Sequence, residues 1–187
     1  MQHQPTRRTI GSLTDGTTHA IVFSELVVSG AANINLIRGA YALSVNTHGW
    51  NDRLDGGAEL QPQGCLERVD AARKGYTGSV QMGGHFGTRW GDGSGPATFA
   101  TILPPNSPSC FASGLDYSGR AMVSASSFHT GGVNVSLADG SCRFVSDSVN
   151  ALSAGASTES TPVRSGASPY GVWGAYGSIN GGESLSL

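Results

Sequence analysis

The sequence contains little charge and no long hydrophobic run. Charged residues make up 13% of the 187 positions and the formal net charge is -2, so the chain lacks the cationic surface with which proteins hold nucleic acid or anionic lipid. No stretch approaches the roughly 20 consecutive apolar residues that span a bilayer, and residues 1–10 are polar, unlike a signal peptide. We therefore expect a soluble chain that contacts neither nucleic acid nor a membrane.

Cysteine is scarce as well. The three cysteines are Cys65, Cys110 and Cys142, and no two of them form a C-x-x-C pair. This spacing argues against a structural zinc knuckle and against a thioredoxin-like redox site. The count is compatible with one disulfide and one free thiol.

Glycine, by contrast, is abundant, and together with proline it excludes long helices. The chain has 28 glycines and 8 prolines, residues that favour turns or interrupt helices. Short apolar and β-branched runs lie between the glycine-rich segments, which predicts a mainly β (α+β) fold with an antiparallel sheet in one globular domain over 1–187. The predicted strands lie within 19–28, 39–45, 97–103, 121–126, 133–137, 142–145 and 170–176.

Two short helices and one surface loop complete the expected fold. The segment CLERVDAARK at 65–74 places apolar residues at three-residue intervals and ends in Lys74-Gly75, a pattern typical of a helix and its stop signal. A second short helix is expected over 146–153. Residues 154–168 are rich in Ser, Ala, Thr and Gly without a periodic apolar face, which predicts a surface loop.

The clearest local prediction is a β-hairpin at Asp139-Gly140, between the runs VNVSL and CRFV. Aspartate followed by glycine suits a tight turn. If 133–137 is a strand, it places His129 roughly 15 Å from the turn, too far for His129 and Asp139 to share an ion. We interpret Asp139 as the residue that permits the turn and His129 as the residue that docks the entering loop.

One pattern resembles a known family signature: His129 is followed by nine residues and then by Asp139-Gly140. This is similar to the H-x9-D-G signature of bacterial prepilin-like proteins, a family of pilin-like domains of unknown function. Other segments are similar to the same family in the same order, and together they cover nearly the whole chain. These segments are RRTIGSLTDGTTHAIVFSE, GTRWGDGS, PPNSPSC and PYGVWGAYGSINGGE. Members of that family begin with a prepilin cleavage motif and a membrane helix, so the chain resembles their C-terminal globular portion without that helix.

The resemblance implies a pilin-like head, rich in antiparallel sheet, with one or two short helices. It implies a parent protein outside the cytoplasm, in the periplasm or at the cell surface. The implied role is structural or interactive, with the partners of a secretion or surface assembly. A head in that compartment would be oxidised, so we favour Cys65 and Cys110, both near loops, as the disulfide pair.

Glu25 closes the apolar run AIVFSE and matches an acidic position of the same family. A carboxylate at the end of a half-buried strand needs a partner, because burying it alone is costly. That partner is an arginine, a backbone amide or a metal ion, and the sequence leaves these three alternatives open.

A different function, metal-dependent hydrolysis, is the alternative hypothesis. His48, His85 and His129 lie beside or near glycine, where loop histidines could converge on a zinc ion that activates water. The chain contains no H-E-x-x-H or H-x-H pair, so this spacing is not diagnostic. The competing interpretation is that these histidines form local hydrogen bonds.

Calcium is the second divalent ion that the sequence allows. The segment NDRLDGGAE supplies oxygen ligands of the kind that calcium prefers. An EF-hand does not fit, because Arg53 occupies a ligand position and no glutamate stands at the twelfth. The candidate calcium ligands are Asn51, Asp52, Asp55 and Glu59.

Overall fold

The computed structural model describes residues 8–28, 37–43, 45, 62–70, 72, 74–77, 82–83, 86–87, 91, 97–111, 121–151 and 166–183. Within these ranges the structure confirms the expected mainly β fold with two short helices. The strands are β1 (Ile21–Ser24), β2 (Tyr41–Ala42), β3 (Met82–Gly83), β4 (Cys110–Phe111), β5 (Ala121–Met122), β6 (Gly132–Leu137) and β7 (Cys142–Ser146), and the helices are α1 (Pro62–Leu66) and α2 (Gly171–Tyr176). No helix that these residues form is long and apolar enough to cross a membrane.

The first sheet is three-stranded and antiparallel, in the order β1-β6-β7. Successive side chains of a strand point to opposite faces, and in β6 the residues Val133, Val135 and Leu137 are buried whereas Asn134 is exposed. The buried side chains form the inner face of this sheet. We call the opposite side, which carries Phe23, Asn134 and Phe144, the outer face.

The turn between β6 and β7 is the expected hairpin. Gly140 has a φ of 85°, in the left-handed region that glycine adopts without steric cost, and its N–H donates to the Leu137 carbonyl over 3.0 Å. Asp139 itself does not have a positive φ. Its carboxylate accepts hydrogen bonds from the backbone N–H and the hydroxyl of Ser141, at 2.9 and 2.7 Å.

The second sheet has the order β3-β2-β4-β5, in which β2 and β4 are parallel and the other pairs are antiparallel. Cys65 in α1 forms a disulfide with Cys110 in β4, with 5.9 Å between their Cα atoms. This is the pair that the sequence favours. The disulfide lies within an apolar cluster, which contains Ala42, Val45, Cys65, Ile102, Leu103, Cys110 and Met122.

Helix α2 closes the inner face of the three-stranded sheet. Trp173 and Tyr176 are almost completely buried and pack with the apolar residues of β6 and β7. The indole N–H of Trp173 donates to the Leu103 carbonyl over 2.9 Å, which satisfies its polar group inside the core. The cluster contains Ala125, Val133, Val135, Leu137, Val145, Trp173 and Tyr176.

The segment after α2 is tied to the beginning of the described chain. The N–H groups of Thr14 and Asp15 donate to the Ile179 carbonyl at 2.8 and 3.4 Å. The Asp15 carboxylate accepts from the N–H groups of Gly181 and Gly182 at 2.7 and 2.8 Å. Burial disfavours the charged form of Asp15, but these bonds and one from the Ser178 hydroxyl outweigh it and lower the pKa of Asp15.

Two helix predictions were wrong. The helix expected over 65–74 is Pro62–Leu66, because the chain then turns back on itself: the Asp70 N–H donates to the Gly75 carbonyl and Val69 pairs with Tyr76. The helix expected over 146–153 does not form in its described part, 146–151. There the Ser146 hydroxyl accepts the Ser148 N–H and ends the strand in a turn.

Two strand predictions were also wrong. Residues 170–176 contain helix α2, because Trp173 and Tyr176, three residues apart, lie on the same helical face and are both buried. Residues 97–103 form no strand, although the Ala100 N–H donates to the Val123 carbonyl. Of the loop expected over 154–168, only 166–168 lie within the described residues.

Candidate functional site

Glu25 lies directly after β1, where the chain separates from β6. Its backbone N–H still donates to the Asn134 carbonyl over 3.1 Å, but its own carbonyl accepts from Ser126 instead. Its carboxylate replaces the lost acceptor: Oε2 accepts the Asn134 N–H over 2.7 Å, and Oε1 accepts the Asn134 side-chain amide over 3.1 Å. Glu25 therefore continues the hydrogen-bond ladder with its side chain after the backbone has turned away.

His129 completes this arrangement from the loop before β6. Its Nε2 lies 3.1 Å from Oε1 of Glu25, and the two side chains are 57% and 34% exposed. The pair is accessible to water, so it contributes little net stability. We call Glu25, His129 and Asn134 the Glu25 cluster.

The hydrogen bonds of the cluster determine the charge state of Glu25. Burial disfavours the carboxylate form, but the hydrogen bonds from Asn134 and His129 outweigh this and lower the pKa of Glu25. The carboxylate is thus ionised at neutral pH. Of the three partners that the sequence left open for Glu25, the structure provides a backbone amide, to which it adds a side-chain amide and an imidazole.

The loop that carries His129 is fixed by buried polar groups. The Ser127 hydroxyl donates to the Gly132 carbonyl over 2.7 Å and accepts the His129 N–H over 3.0 Å. Asn106, in a left-handed conformation with a φ of 61°, accepts the Ser127 N–H over 2.9 Å. The Ser127 hydroxyl therefore acts both as a donor and as an acceptor, and both hydrogen bonds hold the loop in position.

Beside the Glu25 cluster lies a shallow cavity of about 390 Å³. Phe128 is 72% exposed next to it, and Phe23 on the outer face is 73% exposed. The site thus combines an ordered carboxylate with one accessible aromatic ring, that of Phe128. The cavity is lined by Glu25, Leu26, Val27, Ser126, Ser127, Phe128 and His129.

The two polar residues of the H-x9-D-G motif have separate partners. His129 contacts Glu25, whereas Asp139 binds Ser141 at the hairpin turn. The hydrogen bonds from Ser141 lower the pKa of Asp139 against a smaller opposing effect of burial. These contacts are those of a turn residue and a loop-docking residue.

The metal hypotheses find no support in the described part of the chain. There, no group of three His, Cys, Asp or Glu side chains lies close enough together to hold a metal ion. Of the three histidines proposed for zinc, His129 contacts Glu25, whereas His48 and His85 lie outside the described residues. The calcium candidates Asn51, Asp52, Asp55 and Glu59 also lie outside them.

Asn134 is the member of the Glu25 cluster that the sequence analysis missed. It is 109 positions from Glu25, so nothing local in the sequence connects the two. One signal was available: Asn134 interrupts the apolar run VNVSL at the position where an alternating strand turns outward.

Comparison with family profiles gives a match. The profile of a family described as "Protein of unknown function (DUF1559)" matches residues 1–152. No curated protein and no solved structure matches the chain.

Proposed function

The chain belongs to the DUF1559 family of proteins of unknown function, and we propose that it is a pilin-like head that acts outside the cytoplasm in a secretion or surface assembly. Its role in this proposal is structural or interactive, without catalysis. Family membership assigns no activity, so the proposal depends on the geometry of the outer face and of the Glu25 cluster.

The exposed aromatic side chains of the outer face and of the cavity are the observation that carries the proposal. The outward side of an antiparallel sheet is commonly solvated and polar. Here Phe23, Phe128 and Phe144 are 73%, 72% and 53% exposed, two of them on the outer face and one beside the Glu25 cluster. A contiguous patch of exposed apolar groups that polar groups border marks a surface for contact with another protein, and in this proposal the three rings belong to one such patch.

The hydrogen bonds of the Glu25 cluster support a role in positioning. Both carboxylate oxygens of Glu25 accept hydrogen bonds, and the backbone and side chain of Asn134 supply two of the three. Such a carboxylate is well placed to hold the Phe128-His129 loop against β1. The hydrolase alternative gains no comparable support from the described residues.

The disulfide supports a location outside the cytoplasm. Cys65 and Cys110 are buried and joined, and disulfides persist mainly in oxidising environments such as the periplasm or the cell surface. The compartment can be tested by alkylating unfolded protein taken directly from cells. We expect one modified thiol per chain, at Cys142, and three modified thiols would contradict the proposed location.

Photo-crosslinking in cells tests the interaction role. The full gene product would carry p-benzoylphenylalanine in place of Phe23 or Phe128. Ile10 is the matched control, because it is 74% exposed but belongs to neither the three-stranded sheet nor the lining of the cavity. We expect adducts with other polypeptides at Phe23 and Phe128 and none at Ile10. Equal yields at all three positions, or none at Phe23 and Phe128, would overturn the proposal.

A further inference from the structure

A cavity of about 490 Å³ lies between residues 99–102 and the segment that contains helix α2. Small-molecule sites in proteins have volumes of roughly 300–1,000 Å³, so this cavity is large enough to hold a ligand. Its lining residues are Ile21 and residues within 99–102, 166–170 and 174–180. None of them lines the shallow cavity beside the Glu25 cluster, so the two cavities are separate.

The cavity lies where two apolar clusters of the fold meet. Ile102 and Tyr170 pack in the cluster around the disulfide, whereas Ile21 and Phe99 pack against the cluster that contains Trp173. The walls of the cavity are therefore anchored in the core on both sides. A site of this kind is formed before its ligand arrives, as is usual for small-molecule sites.

Two carboxylates hold the wall of the cavity but do not line it. The Ser178 hydroxyl donates to Asp15 over 3.0 Å, and the Ser168 N–H donates to Glu183 over 2.6 Å. No described residue of the lining has a charged side chain. A charged ligand would thus lose water without gaining a counter-ion in the lining, which is costly. The cavity therefore favours a neutral ligand.

The lining also offers polar groups that other residues do not use. Among the described residues, the hydroxyl, the backbone N–H and the carbonyl of Thr101 have no hydrogen-bond partner, and neither has the side-chain amide of Asn180. The Thr101 hydroxyl lies directly against α2, since a Cβ on Gly177 would overlap its Oγ1. Hydroxyl and amide groups both donate and accept hydrogen bonds. A ligand with hydroxyl groups would match them.

We propose that this cavity binds a neutral saccharide. Sugar hydroxyls donate and accept hydrogen bonds, as Thr101 and Asn180 do. The C–H faces of a sugar ring pack on aromatic side chains, which Phe99 and Tyr170 supply here. An extended peptide fits less well, because strand addition needs a straight row of backbone groups, and residues 101–103 form a bend.

This binding goes beyond the interaction role proposed above and does not depend on it. The crosslinks at Phe23 and Phe128 report on the outer face and on the other cavity, so each proposal can fail alone. Glycosidases use a pair of carboxyl groups that flank the scissile bond, and the described lining contains no carboxyl group. We therefore expect the saccharide to be bound without hydrolysis.

Saturation-transfer difference NMR on the purified full chain tests the ligand class, because it detects weak binding. The neutral probes are maltose, cellobiose, lactose and N,N′-diacetylchitobiose. Glucuronic acid is the anionic probe, and N-acetyl-tetraalanine amide is the peptide probe. We expect transfer to at least one disaccharide and none to the other two probes. No transfer to any disaccharide, or equal transfer to glucuronic acid or the peptide, would overturn the proposal.

Substitutions at Thr101 test the location of the bound disaccharide. Thr101→Val removes the hydroxyl and nearly keeps the shape of the side chain, whereas Thr101→Ser keeps the hydroxyl and is the matched control. We expect Thr101→Val to raise the dissociation constant about tenfold relative to Thr101→Ser, the effect of losing one hydrogen bond. Thermal unfolding checks that both variants fold.

Asn180→Ala is a second variant, at an exposed position where folding is not at risk. It should weaken binding in the same way as Thr101→Val. Dissociation constants that are unchanged in Thr101→Val and in Asn180→Ala would refute the assignment of the saccharide to this cavity.

Discussion

The carboxylate of Glu25 stands in for a backbone carbonyl opposite Asn134. Its Oε2 accepts the Asn134 N–H over 2.7 Å, while the Glu25 carbonyl accepts from Ser126. One residue thereby belongs to two hydrogen-bond systems, one along β6 and one towards the Phe128-His129 loop. The first two predictions follow from this double role.

Glu25→Gln should destabilise the protein by about 1 kcal/mol, because a neutral amide oxygen accepts weaker bonds than a carboxylate and the amide nitrogen accepts none. Urea unfolding measures the loss. Glu67→Gln is the control, since Glu67 is exposed and, among the described residues, its carboxylate accepts a hydrogen bond from Gln63 alone. Equal effects of the two substitutions would show that the Glu25 carboxylate is not structural.

His129→Ala should cost less stability than Glu25→Ala. It removes one hydrogen bond of an exposed pair, worth at most about 1 kcal/mol, and leaves both hydrogen bonds from Asn134 to the Glu25 carboxylate intact. The two variants should be compared by thermal unfolding at one pH. A larger loss of stability in His129→Ala than in Glu25→Ala would contradict this prediction.

Acid should destabilise the fold through Glu25 and Asp15. Both folded-state pKa values lie below the ordinary values of 4.5 and 3.8, because hydrogen bonds outweigh burial. The stability that these groups provide is therefore complete above about pH 4.5 and is lost as the pH falls through the folded-state values. Melting curves across this range, for wild type and for Glu25→Gln with Asp15→Asn, should converge in acid. A constant difference would contradict the linkage.

Gly140→Ala should destabilise the hairpin by about 1 kcal/mol, because alanine tolerates a φ of 85° poorly. The space around Gly140 is open, so the effect isolates backbone conformation from packing. Gly91→Ala is the matched control: it is equally open and its φ is not positive. Chemical denaturation should leave Gly91→Ala near wild type, and an equal loss in both would refute the conformational explanation.

Removing the disulfide should cost about 4 kcal/mol, the loop-closure value for a sequence separation of 45 residues. The comparison is guanidinium unfolding of wild type against Cys65→Ala with Cys110→Ala. Cys142→Ser is the control, because Cys142 is free and exposed. A double variant as stable as this control would show that the crosslink does not stabilise the fold.

The sequence predicted those elements whose signals are local. The hairpin at Asp139-Gly140 was predictable because the turn residue and both flanking strands lie within a few positions of each other. Helix α2 was not, because six residues with three aromatic or branched side chains fit a strand equally well. Only the inner face of the first sheet, which Trp173 and Tyr176 cover, selects the helix.

The candidate site shows the same division. Glu25 and His129 were identified from the sequence. The sequence placed them on separate elements and did not determine which groups they contact. Their contact spans 104 positions and the contact with Asn134 spans 109. Contacts between residues this far apart in the chain depend on strand register, which a single sequence does not specify.

Helix α2 shows that the folded unit extends beyond the residues that the family profile matches. The family profile matches residues 1–152, yet Trp173 and Tyr176 lie beyond the match and fill the core against Val133 and Val135. A truncation at residue 152 would leave those valines in water and would be prone to aggregate. A boundary for expression or engineering therefore has to include α2 and does not lie at residue 152.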